Sequence, residues 1–399
     1  MGVLRWRSRL DDEIAQASSQ PIGKLDLEIL IALRMALYQV RWLSRVPQRA
    51  AVNESVELVK RARKRSAASF VNAVLRKLAQ APIGRTPQQE MDSPRALASA
   101  YAHPLWLVER WIGAYGLAAA KNICEHNQTI PDTAIRLRTA IAEEDLARAG
   151  INLQPGYLLT SARRVIAGDV TKTEAFRQGE IIIQDEASQL VATLVGNGHR
   201  ILDCCAAPGG KTLLLADHNP ASSITAIDLH PHRARLLRKL LDRAKPTAHI
   251  QVVAGDARRL PLAVPFDAVL ADVPCSGTGT LARNPDIKWR LTPEDLRELQ
   301  ERQNVILASA LAQLAPKGRL VYSTCSLEKE ENEDLIHHVL DGNPDFRLVD
   351  CRVELELLQA ARELAWPDPS SLVNGPYLRT IPGVHPCDGF FAAILERNS

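Results

Sequence analysis

Apolar residues recur every three or four positions through the first 80 residues. LEILIALRMALYQVRWL (27–43) and AAVNESVELVKRA (50–62) both carry that spacing, which predicts amphipathic helices. The stretch APIGRTPQQEMDS (81–93) breaks the pattern with Pro, Gly and polar residues and reads as a linker. HPLWLVERWIGAYG (103–116) returns to helical spacing. From about residue 131 the texture changes again. TAIRLRT, YLLTSARRVIAG and EIIIQD predict a small strand-containing module that ends near residue 180.

Beyond residue 200 short apolar runs alternate with amphipathic segments, the pattern of a parallel α/β sheet. The predicted strands are RILDC (200–204), SITAID (223–228), HIQVVAG (249–255), FDAVLAD (266–272) and RLVYST (319–324). Helices follow at KTLLLAD (211–217), at PHRARLLRKLLDRA (231–244) and from TPED (292–295). In the last, Thr292 suits an N-cap, Pro293 the first turn and Asp295 a capping-box partner. Strand candidates around 346–350 and 389–395 close the chain, and there are no repeats or low-complexity tracts.

Composition narrows the class. The 399 residues are enough for two or three domains, and 46% apolar with 24% charged residues is ordinary for a globular protein. The apolar run at 27–40 is short and interrupted by Arg34, so no membrane span is expected. The opening MGVLRWRSRLDDE lacks the apolar core of a secretory signal, and Trp6 breaks a myristoylation pattern. Seven cysteines without a C-x-x-C pair argue against a disulfide framework and a zinc knuckle, which predicts a reduced, cytoplasmic protein without metal. The net charge of +3 hides an asymmetry. Residues 1–90 hold 16 Lys/Arg and 8 Asp/Glu, and the densest basic block is KRARKRS (60–66). A basic N-terminal module suggests a polyanionic partner, although a solvated helix face has the same composition.

The stretch CCAAPGGKT (204–212) raises the chemical question. A P-loop needs G-x-x-x-x-G-K-[ST], but Cys205 stands where its first glycine belongs. A dinucleotide fingerprint needs G-x-G-x-x-G, and only Gly209-Gly210 is present. The setting is nevertheless that of a cofactor loop, a Gly-rich turn between a strand and a helix N-terminus. In open α/β sheets ligands bind beyond the carboxyl ends of the strands. Those ends carry Cys204-Cys205 with the glycines, then Asp228, then Gly255-Asp256, then Asp272 before VPCSGTG, then STCS (323–326). Asp228, 18 residues after Gly210, suits ribose hydroxyls, and Asp256 could meet an adenine edge, so an adenosine-containing cofactor is expected. Cys275 and Cys325 sit on neighbouring strand ends among hydroxyls and glycines, as candidates for thiol chemistry. Cys124, Cys351 and Cys387 read as buried small apolar residues, and His337-His338 as solvated surface.

CAAPGGKT, DVPCSGTGTLARNPDIKWR (272–290) and YSTCSLEKEENE (322–333) resemble the S-adenosylmethionine-dependent RNA cytosine-C5 methyltransferases, most closely the bacterial small-subunit rRNA group called RsmB, Sun or Fmu. The resemblance runs from QDEASQLVA (184–192) through DGFFAAILER (388–397), and VPQRAAVNESVELVK with FVNAVLRKL resembles that group's NusB-like helical domain. It implies a class I, Rossmann-like α/β methyltransferase core preceded by an all-α NusB-like domain and a small α/β RNA-binding module. The implied division is 1–80 for the NusB-like domain, 81–130 for linker and helices, 131–180 for the RNA-binding module and 181–399 for the catalytic domain. GVLRWRSRLD follows Met1 directly here, whereas the group has further helices before it, so the first helices are expected to be missing or to lie upstream of this start.

The resemblance also implies roles. Cys205, Ala206, Ala207, Pro208, Gly209, Gly210 and Lys211 would wrap the methionine part of S-adenosyl-L-methionine, with Asp228 on the ribose, Asp256 at the adenine and Asp272 beside cofactor and target base. A thiolate adding to C6 of cytosine activates C5 toward the methyl group, which is covalent catalysis. The residues alone do not rank the two thiols. The family assigns attack to the T-C-S cysteine, Cys325, and release to the P-C-S cysteine, Cys275, whereas DNA cytosine methyltransferases use a P-C cysteine. The implied substrate is a cytosine of 16S ribosomal RNA, the 967-type site, free or early in assembly, and the implied state a monomer. Competing readings are the same chemistry on tRNA, on another rRNA cytosine or on a ribosomal protein, a catalytically dead RNA-binding factor on the same fold, and a P-loop NTPase.

Overall fold

The computed structural model describes residues 1–81, 92–139, 141–260, 262 and 264–398. Most of the linker expected over 81–93 lies outside them. The chain divides into two compact units, residues 1–129 with 281–290, and residues 130–280 with 291–399. No helix among the described residues is long and apolar enough to cross a membrane.

The first unit is helical. Helices Arg7–Ala17, Leu27–Trp42, Gln48–Arg61 and Ala68–Gln80 bury one face each. Their core is Leu10, Ile14, Leu33, Leu37, Val59, Val71 and Leu75, so the three-and-four spacing of the sequence is the packing face. The helix expected over 103–116 is longer than its sequence signal. It runs Leu105–His126 and bends at Gly116, whose φ of +80° only glycine adopts without strain. That glycine ends the periodic pattern and breaks the segment into two helices joined at a kink. Cys124 is fully buried, as expected.

Ten residues from the end of the DVPCSGTGTLARNPDIKWR stretch, 281–290, also belong to this unit. Arg5 donates to the Ala282 carbonyl (2.6 Å) and Trp289 Nε1 to the Leu4 carbonyl (2.5 Å). Lys288 is 1% exposed, and its ammonium donates to the Arg5 carbonyl (2.9 Å) and lies 5.2 Å from the Trp289 ring centroid. Burial pushes its pKa down to about 7.

The second unit carries two sheets. The smaller is antiparallel, with β1 (Thr133–Leu137), β2 (Asn152–Pro155), β3 (Ala162–Ala167) and β4 (Ile181–Ile183) in the order β2-β3-β1-β4. It shares a compact unit with the larger sheet. Arg136 from β1 and Arg138 just past its end both reach Asp217 on the Gly210–His218 helix at 2.6 Å.

The larger sheet contains β5 (Arg200–Asp203), β6 (Ser223–Asp228), β7 (His249–Ala254), β8 (Phe266–Asp272), β9 (Leu314–Thr324), β10 (Phe346–Val349), β11 (Val373–Asn374), β12 (Tyr377–Thr380) and β13 (Phe390–Arg397). Its order is β11-β12-β13-β9-β8-β5-β6-β7, with β10 on β13. Strands β5 to β9 pair in parallel, and β13 runs antiparallel to β9. The five parallel strands are the five expected, with β9 starting five residues earlier and β5 and β7 each stopping one earlier, at Asp203 and Ala254. The two C-terminal candidates pair with each other, Leu348 opposite Leu395. The short β11 and β12 are not among the expected strands, and the Cys351–Ala360 helix, whose Cys351, Leu355 and Leu358 carry the spacing of a buried helical face, is not among the expected helices. The Pro293–Leu311 helix starts at the expected capping box, with Asp295 accepting from the Thr292 N–H (2.8 Å). Cys351 and Cys387 are buried, and His337 and His338 are exposed.

Lys288 gives the helical unit a defined pH response. A lysine lowered in the folded state binds fewer protons there than when unfolded, so stability rises with pH above its folded pKa. The window opens near 7 and runs to about 9, where the buried Cys124, raised to about 12, begins to act in the opposite sense. Lys288→Met should flatten that rise, which for one proton amounts to about 2 kcal/mol over two pH units. Denaturant unfolding of both chains at pH 7 and 9 measures it. An equal rise in both would remove Lys288 as its source.

Candidate active site

The site lies where the strand order reverses. β5 has β6 on one side and β8 on the other, so connections leave the carboxyl end in opposite directions and open a crevice there. The loop after β5 lines one side. Ala206 N–H donates to the Ile227 carbonyl (2.8 Å), which ties the loop to the neighbouring strand. Gly209 has φ +113°, and a Cβ there would lie 2.4 Å from Leu237 Cδ1, so both the turn and the packing require glycine. Gly210 begins the next helix. The Ala207–Pro208 bond is cis.

Lys211 leaves that helix toward the adjacent strand. Its ammonium donates to Asp272 Oδ2 (2.8 Å) at the end of β8 and lies 5.2 Å from the Phe390 ring centroid. Ser323 Oγ donates to Asp272 Oδ1 (2.7 Å). Asp272 therefore sits between a cation and a hydroxyl, each carboxylate oxygen with its own donor. Behind them Asp203 is buried and accepts from Thr212 Oγ1 (2.7 Å). Burial pushes its pKa up to about 7, and Asp272 adds to that rise. Its Oδ1 has no hydrogen-bond partner among the described residues.

The remaining expected cofactor residues lie on the other side of the loop. Asp228 is 3% exposed and accepts from the Ala207 N–H (3.3 Å) and the His230 N–H (3.0 Å), with Arg233 Nε 3.6 Å away. It ties the 205–211 loop to its strand. Asp256 is paired with Arg258 (2.7 Å), which holds its carboxyl below the usual range. Cys205 is half-buried, and burial pushes its thiol up. A cavity of about 610 Å³ is bordered by Cys205, Ala206, Ala207, Pro208, Gly209, Gly210, Lys211 and Asp272; Asp228 and Asp256 are not among the residues that line it.

The two candidate thiols meet. β8 and β9 pair in register with Asp272 opposite Ser323, so the loops leaving them run side by side. Cys275 Sγ and Cys325 Sγ are 3.3 Å apart, a non-bonded contact well beyond a disulfide. The contact with Cys325 and burial both push the Cys275 thiol up, so Cys275 holds its proton.

One residue not anticipated from sequence organises both loops. Glu331 is fully buried and accepts from the Ser276 N–H (2.8 Å), the Ser326 hydroxyl and Gln303 Nε2 (2.8 Å). Gln303 also donates to the Pro274 carbonyl (2.9 Å), and the two serine hydroxyls are 2.9 Å apart. The donors compensate a buried carboxylate that would otherwise be costly. Its only signal is the run EKEENE (328–333), in which nothing separates a buried glutamate from solvated ones.

Residues 192–396 match the family described as 16S rRNA methyltransferase RsmB/F, and residues 1–80 match the NusB family. The chain is 34% identical to the probable ribosomal RNA small subunit methyltransferase B of Bacillus subtilis, over 99% of this chain and 88% of that protein. It is 32% identical to the ribosomal RNA small subunit methyltransferase B of Vibrio cholerae, over 99% and 87%. Among solved structures, PH0851 superposes with a TM-score of 0.82 at 25% identity, covering 99% of this chain and 88% of that one. With the class I α/β core, the helical N-terminal unit and the paired thiols in place, the chain belongs to the RsmB/F family of S-adenosylmethionine-dependent ribosomal RNA methyltransferases.

Proposed function

We propose that this protein methylates C5 of a cytosine in 16S ribosomal RNA, the 967-type site, through a covalent adduct between Cys325 and C6. The observation that carries the reading is the pair of sulfurs 3.3 Å apart beside an Asp272 with two donors. A P-loop NTPase has no use for that pair, and a dead factor no reason to hold it.

The residues fit the methyl donor. The glycine turn at the start of a helix, the carboxylate of Asp228 at the second strand's end and the partnerless Oδ1 of Asp203 suit a zwitterionic adenosine compound. Cys205 to Lys211 would hold its methionine part, Asp228 its ribose and Asp256 its adenine once released from Arg258. Bound there, S-adenosylmethionine supplies an electrophilic methyl group.

The chain's own groups perform the rest. Cys275, holding its proton, donates toward the Cys325 sulfur and stabilises negative charge on it. Cys325 adds as thiolate to C6, and the displaced electron pair spreads over the ring toward N3. The Lys211–Asp272 pair stands beside that position, and its ammonium can deliver a hydrogen bond or proton there through the carboxyl group. C5, now nucleophilic, takes the methyl group. The contact with Cys325 is the largest cause of the raised Cys275 pKa. In the adduct Cys325 is an uncharged thioether, which relieves that contact, while burial and Glu331 still favour the protonated Cys275. Cys275 can then lose its proton to solvent and take the C5 proton, the re-forming C5–C6 double bond expels Cys325 as thiolate, and any proton placed at N3 returns to the Lys211–Asp272 pair. Glu331 keeps the two loops in register throughout.

Cys325→Ala should therefore abolish methylation and leave no covalent adduct with rRNA. Cys275→Ala should attack and methylate but not release, leaving a protein–RNA band on denaturing gels. The opposite pattern would exchange the two roles, and full activity of both variants would end the covalent mechanism. Glu331→Ala strands three donors and should lower stability by about 3 kcal/mol in denaturant unfolding. A loss below about 0.5 kcal/mol, the scale of an ordinary surface change, would deny it that role.

The basic block of the helical unit is a second place for RNA to bind. Lys60 pairs with Glu57 (2.7 Å) and Lys64 with Asp26 (2.8 Å), which leaves Arg61, Arg63 and Arg65 exposed. Neutralising those three should lower the log–log salt slope of rRNA binding by roughly 0.7–0.9 for each phosphate that an arginine had neutralised. Neutralising Lys60 and Lys64 should change it less. An unmoved slope in the triple variant would make the block a solvated face.

A further inference from the structure

The cavity beside the cofactor loop extends away from Asp272 along the Pro231–Ala244 helix. That helix carries Arg233, Arg235, Arg238, Lys239 and Arg243 against a single acidic residue, Asp242. Lys239 and Arg243, one turn apart, both line the cavity. Neither has a carboxylate partner among the described residues, and the Nε of Arg243 is buried without a hydrogen bond. Two cations without a paired carboxylate at one end of the cavity, away from the Asp272 that Lys211 occupies, are a standing attraction for an anion.

Apolar side chains line this end of the cavity beside the cations, with Gln184 and Ser188 as polar neighbours. The Arg243 guanidinium lies 4.6 Å from the Phe176 ring centroid. Leu236 and Ile183, 52% and 44% exposed, face the same cavity, with Leu240 between the two cations. Apolar surface left in contact with water inside a basic groove is the composition of a single-stranded nucleic-acid site, in which cations hold the backbone and flat groups take the bases. The cofactor suits this end of the cavity less well, since Asp228 and Asp256, the carboxylates proposed for its nucleoside, are absent from the lining.

We propose that this groove holds a nucleotide adjoining the target cytosine, with Lys239 and Arg243 on its phosphate and Phe176 and Leu236 against its base. The proposal rests on the reading of the site as an RNA methyltransferase centre. It gives the groove the task of drawing an unpaired strand past Asp272, so that the reacting base arrives beside Cys325.

The test uses the full chain and an in vitro transcript of small-subunit rRNA. Lys239→Gln and Arg243→Gln should each raise KM for the transcript and lower the salt slope of binding by roughly 0.7. Phe176→Ala should weaken binding roughly fivefold or more, as loss of a stacked base does. Arg243→Lys should retain the wild-type slope, which separates charge from misfolding. The dissociation constant for S-adenosylmethionine, measured by calorimetry, should stay at the wild-type value in the Gln variants. Weakened cofactor binding with unchanged transcript binding would overturn the proposal and assign the cavity to the cofactor. Unchanged binding of both would also overturn it, leaving a solvated helix face. Formation of 5-methylcytosine by the wild-type chain on the same transcript reads the proposed reaction separately, so failure of one does not imitate failure of the other.

Discussion

The catalytic unit depends on the in-register parallel pairing of β8 with β9, Asp272 opposite Ser323. Parallel strands point their carboxyl ends the same way, so the loops that follow them emerge as neighbours. Cys275 and Cys325 lie 50 residues apart in the chain and 3.3 Å apart in space for that reason. The same pairing brings Ser323 onto Asp272 and the two serines after the cysteines onto each other. A register slip of one residue would turn every side chain of β9 to the opposite face and dissolve all of these contacts together. β5 on the far side of β8 completes the arrangement by delivering Lys211 to the same carboxylate.

Around that frame the unit carries buried acidic groups, each handled differently. Glu331 is fully buried and surrounded by three donors from three separate segments, which compensates its desolvation while locking both cysteine loops. Asp203 accepts from Thr212, and burial pushes its pKa up to about 7, so its charge is held less firmly. Asp272 is partly exposed and shares two donors, open to exchange one for a ligand. The gradient runs from a rigid support to a group at the cavity wall, as a site that must be preorganised yet accept a substrate requires.

The helical unit uses the same economy of buried polar groups for a different end. The ten residues 281–290 follow the cysteine loop in the chain and lie in the helical unit through Lys288, Trp289 and the carbonyls of Leu4 and Arg5. Lys288 buries its stem and ammonium against the Arg5 carbonyl and the Trp289 ring, and that burial, which disfavours the charged form, is why its pKa falls.

Much of this is legible in the chain. Apolar spacing marks the helices of the first unit, and short apolar runs mark the five parallel strands, because both report which face must leave water. The glycines of 209–210 and the acids and thiols at the strand ends are readable as chemistry, because the topology of parallel sheets sends those ends to one crevice. Partnership is not legible. Lys211 reads as part of a cofactor loop, yet its ammonium goes to Asp272. Glu331 is hidden in an acidic run, and the 231–244 segment reads as an ordinary amphipathic helix, although its Lys239 and Arg243 line a cavity with Phe176. Periodicity is a one-dimensional record of burial, so a sequence determines which faces are hidden and where the reactive groups stand along the strands. Which charges meet, and which are left without a partner, is decided by contacts across tens to hundreds of residues, and only the folded chain brings those together.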